Sequence, residues 1–175
     1  MITPLRIAVC GPGQADTPIL ALAEAVGLGL ARSGAIVLCG GLGGVMEAVC
    51  RGARQAGGLT VGLLPSTDAL AANPSVALPI VTGMGEARNA ILIHSAEAVI
   101  AVGGGWGTLS EIALARRAGL TVVGLQSWAP SGAESLVEAV TTPEEAVERA
   151  VTAARQRRGS VGSAVYHIDI SASNV

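Results

Sequence analysis

The sequence predicts a single-domain, doubly wound α/β fold in which helices cover both faces of a parallel sheet. Short apolar runs with the length of buried strands alternate with longer segments of helical periodicity. Glycine-rich turns separate many of these segments, and this alternation is typical of sheets built from consecutive β-α-β units. A chain of 175 residues suits one well-buried domain and is too short for two ordinary ones.

The segments follow one another in the order that such a sheet requires. Strands are expected at residues 5–10, 36–39, 60–64, 98–102 and 121–125, with a short extended segment at 80–82. Helices are expected from Asp16 or Thr17 to 32, at 45–55, from about 86, from 108 to about 119, and from 142 to 158. Residues 1–158 are therefore assigned to the domain. Residues 159–175 are small and polar, which predicts a loose or peripheral tail.

Glycine-rich turns follow three of the predicted strands, at residues 11–13, 40–44 and 103–107. In the usual doubly wound order 3-2-1-4-5, these turns meet at one edge of the sheet, beside the crevice where ligands bind. A strand, a glycine turn and a helix in succession expose unpaired backbone N–H groups, which favour an anion such as phosphate. The alternative is that the glycines only allow tight turns.

Charge and composition exclude several classes of partner. The net charge of −2 and the aromatic content of 2%, with no phenylalanine, argue against a nucleic-acid-binding protein. No apolar run approaches the ~18 residues of a membrane span, so we expect no membrane association and a cytoplasmic location. The hydrophobic fraction of 50% instead predicts subunit contacts, in a homodimer or homotetramer.

The chain contains no lysine, because all 11 of its Lys and Arg residues are arginines. Pyridoxal-phosphate catalysis and Walker-type phosphate loops both need a lysine, so both are excluded. The cysteines Cys10, Cys39 and Cys50 lack the paired spacing of metal ligands and are interpreted as small buried residues. No metal site is predicted.

Three residues near the 103–107 turn have competing interpretations. Glu111 completes a Thr-x-x-Glu pattern with Thr108, so a helix-capping role is favoured over a catalytic one. Arg88 is expected in the first turn of a helix, where a cation is unfavourable unless an anion or a carboxylate lies in front of it; the alternative is a solvated arginine. Trp106 lies between glycines and could cover a ligand ring or form a subunit contact.

The motifs GGLGGVMEAV, GLTVGLLP and GEARNAILIHSAEAVIAVGGGWGTLSEIALA resemble those of Rossmann-like proteins often mislabelled as lysine decarboxylases. Within this superfamily the sequence resembles most the molybdenum-cofactor carrier-like group, and more distantly the LONELY GUY-type, cytokinin-activating phosphoribohydrolases. The resemblance covers residues 7–128 and implies a Rossmann-like fold with a bound phosphorylated ligand. The decarboxylase label does not fit a chain without lysine.

The resemblance also implies roles for individual residues. In the hydrolases, a P-G-G-x-G-T-x-x-E motif binds the nucleotide phosphate and supplies a catalytic glutamate, and an arginine in an Arg-Lys pair assists. By this analogy Glu111 and Arg88 are catalytic if the chain is a hydrolase. Gly103 replaces the motif's proline, Asn89 replaces its lysine, and Ser110 stands where a second acid is common. These departures favour a binding protein.

The main hypothesis is therefore a carrier or storage protein for a phosphorylated heterocycle, either molybdenum cofactor or a nucleotide, with no cofactor required for catalysis. The alternatives are a hydrolase that cleaves the N-glycosidic bond of nucleoside 5′-monophosphates and a nucleotide-sensing module without turnover. The predicted binding residues are Gly11, Gly13, Gly40, Gly41, Gly44, Arg88, Asn89, Gly103, Gly104, Gly105, Trp106, Gly107, Thr108 and Glu111.

Overall fold

The computed structural model describes residues 3–128 and 136–165, with side chains described as far as residue 160. Its centre is a seven-stranded sheet, parallel throughout, in the order β4-β3-β2-β1-β5-β6-β7. The strands are β1 (Arg6–Cys10), β2 (Ile36–Cys39), β3 (Thr60–Leu64), β4 (Leu78–Val81), β5 (Ala98–Val102), β6 (Val122–Leu125) and β7 (Glu138–Val140). The predicted neighbours at the crevice, β1 and β5, are paired in the register Ile7 to Ala98.

Helices cover both faces of the sheet, as predicted for a doubly wound fold. They are α1 (Thr17–Arg32), α2 (Val45–Gln55), α3 (Arg88–His94), α4 (Trp106–Arg117) and α5 (Pro143–Val165). Side chains alternate along each strand, so Ile7 of β1 packs with α1, α2 and α5, whereas Ala8 packs with α3 and α4. Because both of its faces are buried, β5 is apolar at every position.

Capping residues define two of the helix starts as the sequence predicts. Asp16 accepts a hydrogen bond from the Ile19 N–H at 3.2 Å, at the start of α1. At α5, Thr142 Oγ1 accepts from the Glu145 N–H at 3.2 Å, and the Glu145 carboxylate accepts from the Thr141 N–H at 3.4 Å.

The structure differs from the prediction at several boundaries. β7 was not predicted; it is an edge strand of 3 residues with little burial, so its sequence gives little signal. α4 begins at Trp106 rather than Thr108. α5 continues through Val165, beyond the predicted end at Arg158. The later part of the predicted tail, residues 166–175, lies outside the described residues.

A cluster around Glu97 ties β1, β5 and α5 together at the amino edge of the sheet. The Glu97 carboxylate accepts from the Arg6 N–H at 2.6 Å, from Arg6 Nη2 at 2.9 Å and from Arg158 Nε at 2.8 Å. Arg158 also donates to the carbonyl oxygens of Thr3 and Pro4. Burial alone would raise the pKa of Glu97, but the hydrogen bonds that Glu97 accepts from Arg158 and Arg6 outweigh burial and lower the pKa.

None of the helices in the described residues combines the length and the hydropathy needed to cross a membrane.

Candidate functional site

The three glycine turns meet at the carboxyl edge of the sheet. The Val45 N–H at the start of α2 donates to Pro12 O at 3.1 Å, which joins the second turn to the first. A Cβ on Gly11 would lie 2.5 Å from Val102 O, so the first turn also packs tightly against the end of β5. Gly44 and Gly103 have φ values of 66° and 67°, a conformation that a glycine adopts without strain.

A cavity of about 510 Å³ opens between these turns and the loop that precedes α3. Its volume lies in the range of small-molecule sites. Nine of the predicted binding residues line it: Gly11, Gly13, Arg88, Asn89, Gly105, Trp106, Gly107, Thr108 and Glu111. The other lining residues were not predicted: Pro12, Leu42, Met46, Pro65 and Glu86. Pro65 directly follows the end of β3, and Pro12 lies two positions after the end of β1; these positions could have indicated them.

The remaining predicted glycines do not line the cavity, but two of them leave space for side chains that lie in or beside it. These remaining residues are Gly40, Gly41, Gly44, Gly103 and Gly104. A Cβ on Gly40 would clash with Arg88 Nη2 and lie 2.7 Å from both Arg88 Nη1 and Met46 Sδ. A Cβ on Gly104 would lie 3.0 Å from Trp128 Nε1. Their absent side chains therefore make room for Arg88 and Trp128.

The first turn of α4 forms one wall of the cavity. Gly105 is the N-cap, in an extended conformation and without a side-chain cap, so the N–H groups of Trp106, Gly107 and Thr108 have no partner within the helix. A helix N-terminus of this kind favours an anion in front of it. Gly105 and Gly107 leave space there, because a Cβ on either would lie at least 3.7 Å from any atom outside the adjacent residues and the backbone of its own helix.

The predicted capping box at Thr108 and Glu111 is wrong. Because α4 begins at Trp106, Thr108 is already the third residue of the helix, and its side chain cannot serve as the N-cap. Thr108 Oγ1 is buried without a hydrogen-bond partner in the described residues. Glu111 faces Arg88 across the cavity instead, so the interpretation of Glu111 as a cap is replaced by an ion pair.

Arg88 and Glu111 form a loose, buried ion pair. Nη1 of Arg88 and Oε1 of Glu111 are 3.7 Å apart, too far for a normal hydrogen bond, and each side chain is 9% exposed. Arg88 is the first residue of α3, directly after a short 3-10 turn at Gly85–Ala87. The alternative of a solvated surface arginine is therefore wrong, and the expected carboxylate lies in front of Arg88.

Burial changes the acidity of both partners. It raises the pKa of Glu111 to about 7, although the neighbouring Arg88 charge acts in the opposite direction. Burial also lowers the pKa of Arg88, and the negative charge of Glu111 opposes this change. A carboxyl group with a pKa near neutrality can donate or accept a proton at physiological pH, so the pair is chemically competent for acid–base work.

Unsatisfied polar atoms concentrate at this cavity. Within the described residues, five buried side-chain atoms lack a hydrogen-bond partner, and four belong to cavity-lining residues: Arg88 Nε, Arg88 Nη1, Asn89 Oδ1 and Thr108 Oγ1. Buried polar groups are normally paired, and leaving one unpaired costs about 1–3 kcal/mol. Donors and acceptors left open around one cavity are what a polar ligand would satisfy.

Two tryptophans pack together beside the cavity, and Trp106 lines it. Trp106, the first residue of α4, is 82% exposed, and Trp128, beyond β6, is 37% exposed. Their ring centroids are 6.0 Å apart, and the rings are tilted by 35°. The Trp128 Nε1 donates to Gly105 O at 3.1 Å. The indole of Trp128 is thereby fixed to the turn that leads into α4.

The cysteines are buried and free, as predicted. Cys39 lies at the end of β2, and its Sγ is 3.4 Å from Cys50 Sγ and accepts from the Gly41 N–H at 3.3 Å. These contacts lower the pKa of Cys39 and raise that of Cys50. Neither cysteine lines the cavity.

Three known proteins are similar to this chain over nearly its whole folded length. It is 37% identical to the molybdenum cofactor binding protein of Rippkaea orientalis, with a TM-score of 0.81 over 87% of this chain and 98% of that one. It is 36% identical to the molybdenum cofactor carrier protein of Chlamydomonas reinhardtii, with a TM-score of 0.77 over 90% and 99%. An uncharacterized protein of Archaeoglobus fulgidus is 42% identical over 148 residues, which are 85% of this chain and 95% of that protein.

These similarities confirm the resemblance to carrier-like members of the superfamily and the Rossmann-like fold. The model of the SLOG cluster4 family matches residues 4–157, which include all seven strands and most of α5. The chain belongs to the SLOG cluster4 family.

Proposed function

We propose that the protein binds a phosphorylated heterocycle, the molybdopterin form of the molybdenum cofactor in the first place, and carries or stores it without chemical change. The proposal rests on one observation: unpaired polar atoms of Arg88, Asn89 and Thr108 line the same cavity as the uncapped N-terminus of α4. A phosphate monoester at this terminus would accept from the backbone N–H groups, with the Arg88 guanidinium as its charge partner.

Two similar proteins support the choice of ligand. The protein from Rippkaea orientalis is named for binding molybdenum cofactor, and the one from Chlamydomonas reinhardtii for carrying it. The chemistry of this cavity is compatible with such a ligand, because a pterin ring is planar and carries polar edges, and the cavity lining includes both apolar side chains and unpaired polar groups.

The decisive experiment is identification of the ligand that copurifies with the protein. The purified protein is denatured, and the released small molecules are identified by mass spectrometry. We expect molybdopterin or its oxidation products in near-stoichiometric amount. A nucleoside monophosphate in its place would contradict the choice of ligand and support the second candidate.

The second candidate is a hydrolase that cleaves the N-glycosidic bond of a nucleoside 5′-monophosphate. It is favoured by the raised pKa of Glu111, about 7, and by the position of Glu111 opposite Arg88 in the cavity. Ionised Glu111 could stabilise an oxocarbenium-like transition state or activate the attacking water, while Arg88 holds the phosphate. We prefer the carrier because the proline and lysine of the hydrolase motifs are replaced by Gly103 and Asn89.

Turnover assays separate the two candidates. Release of ribose 5-phosphate from AMP is measured for the wild type and for Glu111→Gln, which preserves the shape of the side chain and removes its charge. For a carrier we expect no turnover above the rate without enzyme. For a hydrolase, turnover by the wild type would fall at least about 10²-fold in the variant.

We also propose that the protein forms a homodimer or homotetramer. Large apolar side chains are exposed on edge strand β4, in the loop that follows it and on α3: Leu78, Ile80, Val81, Met84 and Ile91. An exposed apolar edge strand is unfavourable in a monomer. Light scattering at micromolar concentration tests this, and a stable monomer would contradict it. Ile80→Lys should shift the equilibrium toward monomer, whereas Leu59→Lys, an exposed site elsewhere, serves as the control.

A further inference from the structure

The distribution of aromatic residues is unusual and demands a cause. The chain contains two tryptophans, one tyrosine and no phenylalanine. Trp106 lines the candidate cavity and is 82% exposed, and Trp128 packs beside it. Tryptophan is usually well buried, because its large apolar surface is costly to leave in water. An indole so exposed in the lining of a cavity indicates a surface for a partner group.

Trp128 packs beside Trp106 and is hydrogen-bonded to the turn that precedes Trp106. Its Nε1 bonds to Gly105 O at 3.1 Å, and its ring lies close to Gly104, where a Cβ would come within 3.0 Å. Trp106 follows Gly105 directly, and its ring centroid is 6.0 Å from that of Trp128, so the two indoles pack together beside the turn. The tilt of 35° is not a face-to-face stack, and most of Trp106 stays free to contact another ring.

The cavity lining combines polar and apolar side chains. The polar ones are those of Glu86, Arg88, Asn89, Thr108 and Glu111. The apolar lining consists of Trp106 together with Pro12, Leu42, Met46 and Pro65. Trp106 is also the first residue of α4, so it directly adjoins the N–H groups proposed to bind phosphate. A molecule that carries both a phosphate and a flat ring matches this mixed lining.

We propose that Trp106, supported by Trp128, stacks on the planar heteroaromatic ring of the bound ligand and selects ligands that have such a ring. This inference rests on the proposed binding of a phosphorylated heterocycle and adds the residue that recognises the ring. In this arrangement the α4 N-terminus and Arg88 bind the phosphate, and the tryptophan pair distinguishes a pterin or purine phosphate from a simple sugar phosphate.

Calorimetry with three probes tests the proposal: 6-hydroxymethylpterin monophosphate, AMP and ribose 5-phosphate, of which the last has no ring system of this kind. The variants are Trp106→Ala, Trp106→Phe and Leu70→Ala, where Leu70 is 92% exposed and lies outside the cavity lining. We expect Trp106→Ala to weaken at least one ring-bearing probe about 10-fold or more and to leave ribose 5-phosphate unchanged. Trp106→Phe should retain most of the affinity, and Leu70→Ala should match the wild type.

Fluorescence supplies a second readout. In Trp128→Phe the remaining indole is that of Trp106. Its emission should change when AMP binds, because AMP does not absorb at the excitation wavelength of tryptophan, and should not change with ribose 5-phosphate. The emission change and the loss of affinity in Trp106→Ala should report the same ring-bearing ligands.

Two results overturn the stacking role while the proposed function stands. One is wild-type affinity of Trp106→Ala for every ring-bearing probe; if light scattering also shows that this variant dissociates, Trp106 is a subunit contact. The other is an equal loss of affinity for ribose 5-phosphate, which makes Trp106 a support of the phosphate turn. If the wild type binds none of the three phosphates, the proposed function fails, and the stacking role fails with it.

Discussion

Two buried glutamates, one at the amino ends and one at the carboxyl ends of the parallel strands, differ in a way that distinguishes a structural carboxylate from one in a candidate site. Glu97 and Glu111 are 6% and 7% exposed, and each has arginine beside it. The Glu97 carboxylate accepts three hydrogen bonds of 2.6–2.9 Å. Glu111 has its arginine at 3.7 Å, beyond hydrogen-bond distance. The pKa of Glu97 is accordingly lowered, whereas that of Glu111 is raised to about 7.

The comparison shows that burial and charge pairing alone do not identify a site. A carboxylate with a full set of donors is stabilised in its charged form and holds the fold together. Glu111 and Arg88 both lose hydration on burial and recover little of it from each other, a cost that the fold must offset elsewhere. Partners left open in this way point to a ligand that completes the set.

The largest effect is expected when a side chain of the protein itself occupies the proposed phosphate site at the N-terminus of α4. In Gly105→Asp, a carboxylate at the N-cap of α4 would accept from the first-turn N–H groups and occupy the position of the ligand phosphate. We expect at least a roughly 100-fold loss of affinity for any phosphorylated ligand, with unfolding stability equal to or above that of the wild type. Calorimetry and thermal unfolding measure the two quantities.

Gly105→Asn is the matched control, because asparagine caps a helix equally well without the negative charge. It should lose much less affinity than the aspartate variant. Unchanged affinity in a folded Gly105→Asp protein would place the phosphate elsewhere.

Exchange of each glutamate for glutamine should separate the two sites next. Glu97→Gln removes a charge that three hydrogen bonds stabilise, so we expect unfolding free energy to fall by about 2 kcal/mol. Glu111→Gln should instead raise it at pH 7, by up to about 3 kcal/mol, because the raised pKa of Glu111 means that the unfolded chain loses this proton more readily than the folded protein does. Denaturant unfolding measures both, and equal losses would remove the distinction between the sites.

The same two variants should differ in the pH dependence of stability. Because the folded-state pKa of Glu111 is raised to about 7, the folded protein binds more protons than the unfolded chain between about pH 4.5 and 7. Glu111 therefore makes stability fall as pH rises through this window, by at most about 1.4 kcal/mol per pH unit, and Glu111→Gln should remove that slope.

Glu97 should act with the opposite sign. Its folded-state pKa is lowered, so its contribution is present above the ordinary glutamate pKa and is lost as pH falls further into the acid range. Urea unfolding of the wild type and both variants from pH 2 to 8 checks both signs. A wild type and Glu111→Gln with parallel curves between pH 5 and 7 would contradict the raised pKa.

The smallest effect is expected from a residue that supports Arg88 without lining the cavity. Gly40→Ala places a methyl group against the guanidinium, and the flexible side chain should move rather than the backbone. We expect ligand affinity to fall about 10-fold, equivalent to about 1.4 kcal/mol, with little change in stability. Gly43→Ala is the control in the same turn, because its Cβ would meet its nearest atom at 3.7 Å. Equal affinities for the two variants would show that Arg88 does not depend on the space at Gly40.

The sheet and the convergence of the glycine turns could be predicted because both follow from local pattern and a general rule. The apolar runs of β1 and β5 indicate buried strands, and parallel strands bring their carboxyl ends to one edge. The role of Glu111 could not be predicted, because Thr-x-x-Glu reads as a capping box in isolation. Packing of the 103–107 turn starts α4 two residues earlier, and this is a tertiary effect.

The cavity walls illustrate the same limit. Leu42 lies within the second glycine turn, which the sequence does indicate, but nothing in the immediate sequence of Met46 or Glu86 distinguishes these residues from others of their kind. The sequence alone allows two roles for Trp106, a contact with a ligand ring and a subunit contact. Its position beside Trp128, which lies 22 positions further along the chain, is what favours the ring.

The Glu97 cluster also has a consequence for the order of events during synthesis. β1 is made first but is central in the sheet, and its bond to Glu97 joins residues 91 positions apart. Arg158 closes the cluster by bonding to Thr3, 155 positions away. A nascent chain that emerges from its amino end must therefore keep one edge of β1 unpaired, and its apolar side chains exposed to chaperones, until β5 has left the ribosome. The Glu97 cluster is complete only after α5, which carries Arg158, has been synthesised.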